Sequence, residues 1–479
     1  MNYEKLKEII ATSDFQTIYK VLTSQKSDEG RKIDDLKKQW DVGQHAVIDI
    51  TSRPNRIVSY EDPDAPVDKP QTLQRTEEVA RIPVPFQKKI VNSAVSFLFG
   101  NPVVVSAQPV TDEESLVLQA VTRMLEDAKI DSKNRLIARQ LFRSTEVAEI
   151  WYPVEGSQAH EDYGFKTKFN LRTSVFSPWD GSLLFPFFDD YGDMIAFSRE
   201  YDVKDEEGKT VRQFETYTVD YKFLWKQVSG AMWEPEPAVK NIIGKIPVVY
   251  ASQDQAEWAD VQLAIERLET LLSNHADTND YNGSPTVVVE GAVLSMGKKG
   301  EQGKLLEIET GGKVEYLSWD HAPESIKLEI ENLFDIIRSF TQTPDISFDS
   351  VKGLGSISGI ALKLLFMDAH LKVMDKREIF DPYLSRRINL IKAYLGHMNL
   401  SLAKTAKKLN IDVEIQPFMI EDEAERIKML VNAAGAKPAI SQKTLVGMTG
   451  LVTNVETEYE QLQKEYDKEN SFSISEPTI

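Results

Sequence analysis

The 479 residues carry 56 Lys and Arg against 75 Asp and Glu, a formal net charge of −19, with 41% apolar and 27% charged residues. That length exceeds one compact domain, the composition is ordinary for a soluble globular chain, and the acidity argues against a protein built to grip nucleic-acid phosphates. The absence of cysteine excludes disulfides, cysteine–zinc sites and thiol catalysis, and no apolar run approaches the ~18 residues of a membrane span.

Taken in order, Met1–Ile10 is amphipathic with mixed charge and reads as the start of a helix rather than a secretory signal. Helices are predicted over 3–24 and 27–40, the second with Ser27-Asp28-Glu29 as cap and first turn. The proline-rich, acidic stretch 60–72 predicts a loop or arm. A helix from about Pro85 to Phe99 ends at Gly100-Asn101-Pro102, and Val103-Val104-Val105 begins a strand. One helix is expected over 112–144, then a strand at Ala148–Tyr152. From 165 to 251 the pattern alternates with period two, and DDYGD and DEEGK supply turns, which predicts a sheet layer.

Residues 254–340 read as helix, short β-rich insert, helix. Trp258, Val261, Ile265, Leu268 and Leu272 make a narrow apolar seam on the first helix; Ile326, Ile330, Leu333, Ile337 and Phe340 make one on the second. The two helical stretches carry nine acids against three bases (Arg267, Lys327, Arg338), so the pair is an acidic rod whose seams are expected to pack against copies of the same chain. In the insert, Thr286–Glu290 reads as a strand, and Lys304–Glu309 with Lys313–Trp319 as a hairpin around Gly311-Gly312. Thr343-Pro344 disfavours further helix, and the Gly- and Ser-rich run 345–359 predicts a loop. A long helix follows from about Ser358 to Gly396, with Ile360, Leu364, Met367, Leu371 and Met374 on one face. Three shorter helices are expected at Glu421–Ala434, Gln442–Met448 (capped by Ser441) and Val455–Asn470.

Chemical motifs are absent or imperfect. GKKGEQGK (297–304) has the wrong spacing for a phosphate loop and Leu305 where Ser or Thr is needed; GLGSISG (353–359) has Ser358 in place of a dinucleotide fingerprint's third glycine. The six histidines are scattered, and Asp277, Asn279 and Asp280 lack the twelfth-position Glu of a calcium loop. Asp189, Asp190 and Asp193 fit a hairpin turn; a magnesium-dependent nuclease built on them is the enzymatic alternative. No cofactor or metal is expected. A soluble adaptor or scaffold using the helix pair to oligomerise is the other alternative.

Several stretches together resemble the portal proteins of tailed double-stranded-DNA bacteriophages, siphovirus type. QWDVGQHAVI (39–48) is similar to an aromatic-x-x-Gly-x-His segment of that family, and VNSAVSFLFGNPVVV (91–105) to its helix ending in Gly-x-Pro before a strand. Residues 246–274 resemble the approach to the first stem helix, 343–373 the loop and Ser-Gly-x-Ala-Leu-Lys helix start (Ser358, Gly359, Ala361, Leu362, Lys363), and 421–465 the C-terminal helices. Glu146-Val147-Ala148 departs from the Gly-x-Ala that often precedes the family's Trp-Tyr strand.

The resemblance implies an α+β portal-type subunit: wing 1–251, stem helix 252–282, clip 283–321, second stem helix 322–342, tunnel loop 343–357, long wing helix and connection 358–420, and helical crown 421–479. Ser350, Val351, Lys352, Gly353 and Leu354 would belong to the tunnel loop lining a DNA channel. It further implies a non-enzymatic ring, usually of twelve copies, at a capsid vertex of the virion, assembled in the host cytoplasm. Its partners would be the large terminase subunit, head-completion or adaptor proteins, major capsid and scaffolding proteins, and double-stranded DNA passing without sequence preference.

Overall fold

The computed structural model of the chain describes residues 1–26, 30–61, 71–230, 232–282, 286–290, 293–296, 306–308, 311–317, 323–345, 366–418, 423–433, 440–449 and 455–472. It is a mixed α+β chain that divides into two compact units, residues 1–344 with 368–417, and residues 345–367 with 418–479.

The larger unit opens with α1 (Tyr3–Ala11) and α2 (Phe15–Thr23). The single helix expected here breaks because Ser13 takes a left-handed φ of 58° and Asp14 caps α2 through the Gln16 amide. Leu6, Ile10, Phe15, Ile18 and Leu22 then form a core with Phe185, Phe214 and Trp225 of the sheet. After α3 (Gly30–Trp40), strands β1 (Arg56–Glu61) and β2 (Thr72–Glu77) pair antiparallel. The predicted arm thus has a hairpin at its base, and the residues between its strands lie outside those described.

Next come α4 (Phe86–Phe99), β3 (Val104–Ser106), α5 (Asp112–Asp127) and α6 (Ile130–Ser144). Thr111 and Glu114 make a reciprocal capping box at the start of α5. The continuous helix expected over 112–144 is two helices, because Lys129 is left-handed (φ 52°). Neither Gly nor Pro marks that break, which is why the periodicity runs through it.

Strands β4 (Glu146–His160) and β5 (Thr167–Phe176) pair with each other, and β12 (Val248–Ser252) joins the other side of β4. Between them, β6 (Leu183–Phe188), β7 (Met194–Lys204), β8 (Thr210–Tyr217), β9 (Tyr221–Ser229) and β10 (Met232–Pro235) form an antiparallel meander, with β11 (Val239–Lys240) also on β9. The Asp189–Asp193 turn is the β6–β7 connection: the Asp189 carboxylate accepts the Tyr191 and Asp193 amides, both at 2.9 Å.

A 3-10 turn (Ala259–Val261) leads into α7 (Gln262–Asn282), so the first helix starts several residues later than its seam suggests. In the insert, β13 (Thr286–Glu290) pairs with β16 (Lys313–Leu317), and β14 (Val293–Met296) with β15 (Leu306–Ile308). Among the described residues the strands expected to form a hairpin, within 304–309 and 313–319, pair with other partners. The pairing is nested instead, and the Gly311 turn (φ 100°) joins strands of two different ladders. Then α8 (Pro323–Phe340) returns alongside α7.

The long helix α9 (Met367–Met398) packs on the larger unit through Ala369, Val373, Phe380, Leu384, Ile388, Ile391 and Leu395. The apolar face noted in the sequence is not the one it uses: Met367, Leu371 and Met374 are more than half exposed, and Ile360 and Leu364 lie outside the described residues. Helix α10 (Ala403–Lys408) and β17 (Asp412–Glu414), paired with β3, complete this unit. In the smaller unit, α11 (Glu423–Ala433), α12 (Gln442–Thr449) and α13 (Val455–Phe472) lie near the expected bounds, and Ser441 Oγ accepts the Thr444 amide at 3.2 Å as a cap.

Candidate functional site: the paired helices and their roots

The seam of the first paired helix is covered within a single chain. Trp258, Val261, Ile265 and Leu268 are at most 1% exposed and Leu272 is half-buried. On α8 the seam is partial: Ile337 is buried, Ile326, Ile330 and Leu333 are half-buried, and Phe340 is 72% exposed. The expectation that both seams face copies of the chain is therefore corrected for α7, whose apolar edge its own subunit occupies. What the pair offers outward is a different set, Leu263 and Tyr281 on α7 with Leu328, Ile336 and Phe340 on α8. Arg267 reaches across the pair to Glu329 at 2.7 Å, and Phe86 meets Phe334 with centroids 5.5 Å apart.

One face of α7 is polar and buried, and it holds a stretch of main chain. Glu269 Oε1 accepts the Val84 amide at 2.8 Å, Ser273 Oγ the Ile82 amide at 2.9 Å, and Asp277 Oδ1 the Ala80 amide at 2.6 Å. The three acceptors recur every fourth residue and the three donors every second. Four helical residues rise about 6.0 Å and two extended residues about 6.6 Å, so rungs and amides coincide. Pro83 and Pro85, which have no amide hydrogen, alternate with the donors, and each biases its predecessor toward extended backbone.

The ladder is locked at both ends. His45 Nδ1 lies 2.5 Å from Glu269 Oε1, and its Nε2 lies 2.8 Å from the Gln39 carbonyl; the His45 and Glu269 side chains are 4% and 2% exposed. Burial opposes protonation of His45, but the hydrogen bond and charge of Glu269 outweigh it and raise its pKa. At the other end Arg53 binds Asp277 at 2.5 Å, Asn274 at 2.8 Å and the Ala80 carbonyl at 2.8 Å, closing the base of the β1–β2 hairpin.

Trp40, five residues before His45, stands between Trp179 and Trp258, with both centroid distances 5.7 Å. The Arg143 guanidinium sits 4.2 Å above the Trp179 ring, and burial pushes its pKa down to about 10. Gln39 Oε1 accepts the Trp258 indole at 2.8 Å. The QWDVGQH stretch is thus a joint that seats the root of α7 on α3 and α6.

Of the other sequence candidates, Ser350, Val351, Lys352, Gly353, Leu354, Ser358, Gly359, Ala361, Leu362 and Lys363 lie outside the described residues. Asp190 lies 2.6 Å from the Met1 amino nitrogen. Among the described residues no group of three or more His, Asp or Glu could hold a metal ion, and no helix is long and apolar enough to cross a membrane. Sequence reading missed the α7 ladder, whose signal was present: Glu269, Ser273 and Asp277 interrupt the polar side of α7 at steps of four, and the Pro-x-Pro run stands ready to extend.

The family model described as "Phage portal protein, SPP1 Gp6-like" matches residues 55–471. No curated protein sequence matches the chain. Among solved structures the chain is similar to one in "Neck of empty GTA particle computed with C6 symmetry", at 10% identity and TM-score 0.43, over 78% of this chain and 91% of that one. Similar chains occur in "Virion of native gene transfer agent (GTA) particle" (10% identity, TM-score 0.40, 77% and 89% covered) and in "Neck of native GTA particle computed with C12 symmetry" (11%, 0.40, 77% and 89%).

Proposed function

This chain belongs to the SPP1 Gp6-like family of phage portal proteins, and from that premise we propose that copies of it close a ring, of twelve subunits, at one capsid vertex of a virion. Double-stranded DNA enters through the ring during packaging and leaves through it at ejection. The large terminase subunit docks first on the clip (283–321) and head-completion proteins follow, while capsid and scaffolding proteins meet the wing. The α7–α8 pair is the stem, residues 343–357 the tunnel loop, and 421–479 the crown. The observation that carries this reading is the family match over residues 55–471. The family is structural, not catalytic, and the motor's energy comes from its partner.

Two features support it. The net charge of −19 suits a conduit that must not hold phosphates, because each phosphate contact adds to the grip that resists sliding. The exposed Leu328, Ile336 and Phe340 of α8 and Leu371 and Met374 of α9 are apolar surface that neighbouring subunits would cover. Light scattering coupled to size exclusion, with negative-stain images, tests the ring: closed rings of uniform symmetry are expected, and a strict monomer at micromolar concentration across salt conditions would overturn the reading. Phe340→Glu with Leu328→Glu should shift the protein toward monomer while its thermal unfolding stays near that of the wild type.

A further inference from the structure

The chain leaves the larger unit after Pro344 and returns to it at Asp368, and both points converge on one buried carboxylate. Glu257, in the turn before α7, has Oε2 2.7 Å from Lys372 Nζ and Oε1 2.7 Å from Lys376 Nζ, one helical turn apart on α9. Lys372 Nζ also donates to the Thr341 carbonyl at 3.0 Å, directly past the end of α8. The Glu257 amide donates to the Phe142 carbonyl of α6 at 3.0 Å, and Gln253 Nε2 donates to its carboxylate at 3.2 Å. The side chains of Glu257, Lys372 and Lys376 are only 5%, 10% and 14% exposed.

A simple buried ion pair needs one lysine. Here two ammoniums share one buried carboxylate, Lys376 also lies 3.7 Å from the exposed Asp375 carboxylate, and Lys372 faces the C-terminal end of α8. That end carries the negative pole of the helix dipole, which favours the Lys372 ammonium there. Burial opposes ionisation of Glu257, yet the two ammoniums hold its pKa below the ordinary carboxylate value. The backbone agrees: Gln342 is left-handed (φ 51°), and the Thr343 amide turns back to the Arg338 carbonyl at 2.9 Å, so α8 is stopped where Lys372 meets it.

We propose that Glu257 is a positioning residue that holds the two roots of residues 345–367 at a fixed separation and ties them, through the Phe142 carbonyl, to α6. The functional half rests on the portal reading above: a segment that meets moving DNA pulls on its roots, and the Glu257 clamp passes that pull into the body of the subunit instead of into the stem.

Hydrogen exchange followed by mass spectrometry on the full-length protein tests it, with E257Q, E257D and the double variant E257Q/K372M. In E257Q, amides over 338–343 and 369–376 should exchange about tenfold faster or more, the scale of losing hydrogen bonds to a charged group. The double variant carries the same net charge in the cluster as the wild type, so its thermal unfolding should recover. Its Thr341–Thr343 amides should stay fast, because the Thr341 carbonyl remains uncapped. E257D, one methylene shorter, should fall between and serves if E257Q does not fold. Unchanged exchange in E257Q and E257D, or full recovery of slow exchange in the double variant, would overturn the proposal. DNA retention in particles built with E257D should fall while rings still form; wild-type retention would overturn the functional half. Failure of the wild-type chain to form rings would overturn the portal reading alone, leaving the exchange result to decide the clamp.

Discussion

His45 is nearly buried and bound on both ring nitrogens, and its partner Glu269 also receives a backbone amide. Because its pKa is raised on folding, the pair's contribution to stability is fully present below the unfolded histidine value of about 6.5. It is lost as pH rises through the higher folded value. Thermal unfolding followed from pH 6 to 9 should therefore show a decline that His45→Gln removes; parallel curves for the two proteins would contradict the assignment. The motif that contains His45 stood out in the sequence, but its partner did not, since 224 residues separate them. The same holds for Arg387 and Glu149, 2.8 Å apart, 3% and 0% exposed, and 238 residues distant in sequence. Asn134 accepts from Arg387 at 2.7 Å and Thr173 donates to Glu149 at 3.2 Å. Arg387→Met leaves that carboxylate buried without its ion partner and should cost about 3–5 kcal/mol in chemical denaturation, while Arg387→Met with Glu149→Leu should recover most of it.

At the scale of elements, periodicity located the helices and strands but not what they face. The apolar rhythm of the α7 seam pointed correctly to burial and wrongly to a neighbouring copy, because rhythm reports that a face is covered and not by whom. The stripe through Met367, Leu371 and Met374 was as regular, yet it is exposed. The face used by α9 contains Lys372 and Arg387, which a hydropathy pattern counts as outward but which their ion pairs allow to be buried. The nested strands of the insert were misjudged for a related reason: Gly311-Gly312 identified a turn, and a turn does not state which strands it joins. The α7 ladder gives a sharp test at this scale. Ser273→Ala removes the acceptor of the half-buried Ile82 amide and should cost about 0.5–1.5 kcal/mol, whereas Thr270→Ala, one turn away on the exposed face, should be near neutral. Equal effects in denaturation would mean that the ladder adds nothing.

For the molecule as a whole, the family was legible from the order of several short stretches, none sufficient alone, and the model match over 55–471 agrees. Subunit number, partners and DNA path are properties of an assembly, and one chain encodes them only as surfaces. Deleting 347–356 should leave ring formation intact and impair packaging or retention of DNA; loss of soluble, assembled protein would mean that the segment belongs to a core. The rungs on α7 also set a limit on the hairpin beyond them. Helix and extended chain advance by about 6.0 and 6.6 Å per rung, so the two scales slide past one another like a vernier. The difference of about 0.6 Å per rung is absorbed without lengthening, since the three bonds measure 2.8, 2.9 and 2.6 Å. A slip of one residue would set Pro83, and in one direction Pro85 as well, before acceptors to which they have no amide hydrogen to give, so the hairpin can leave α7 in one register alone.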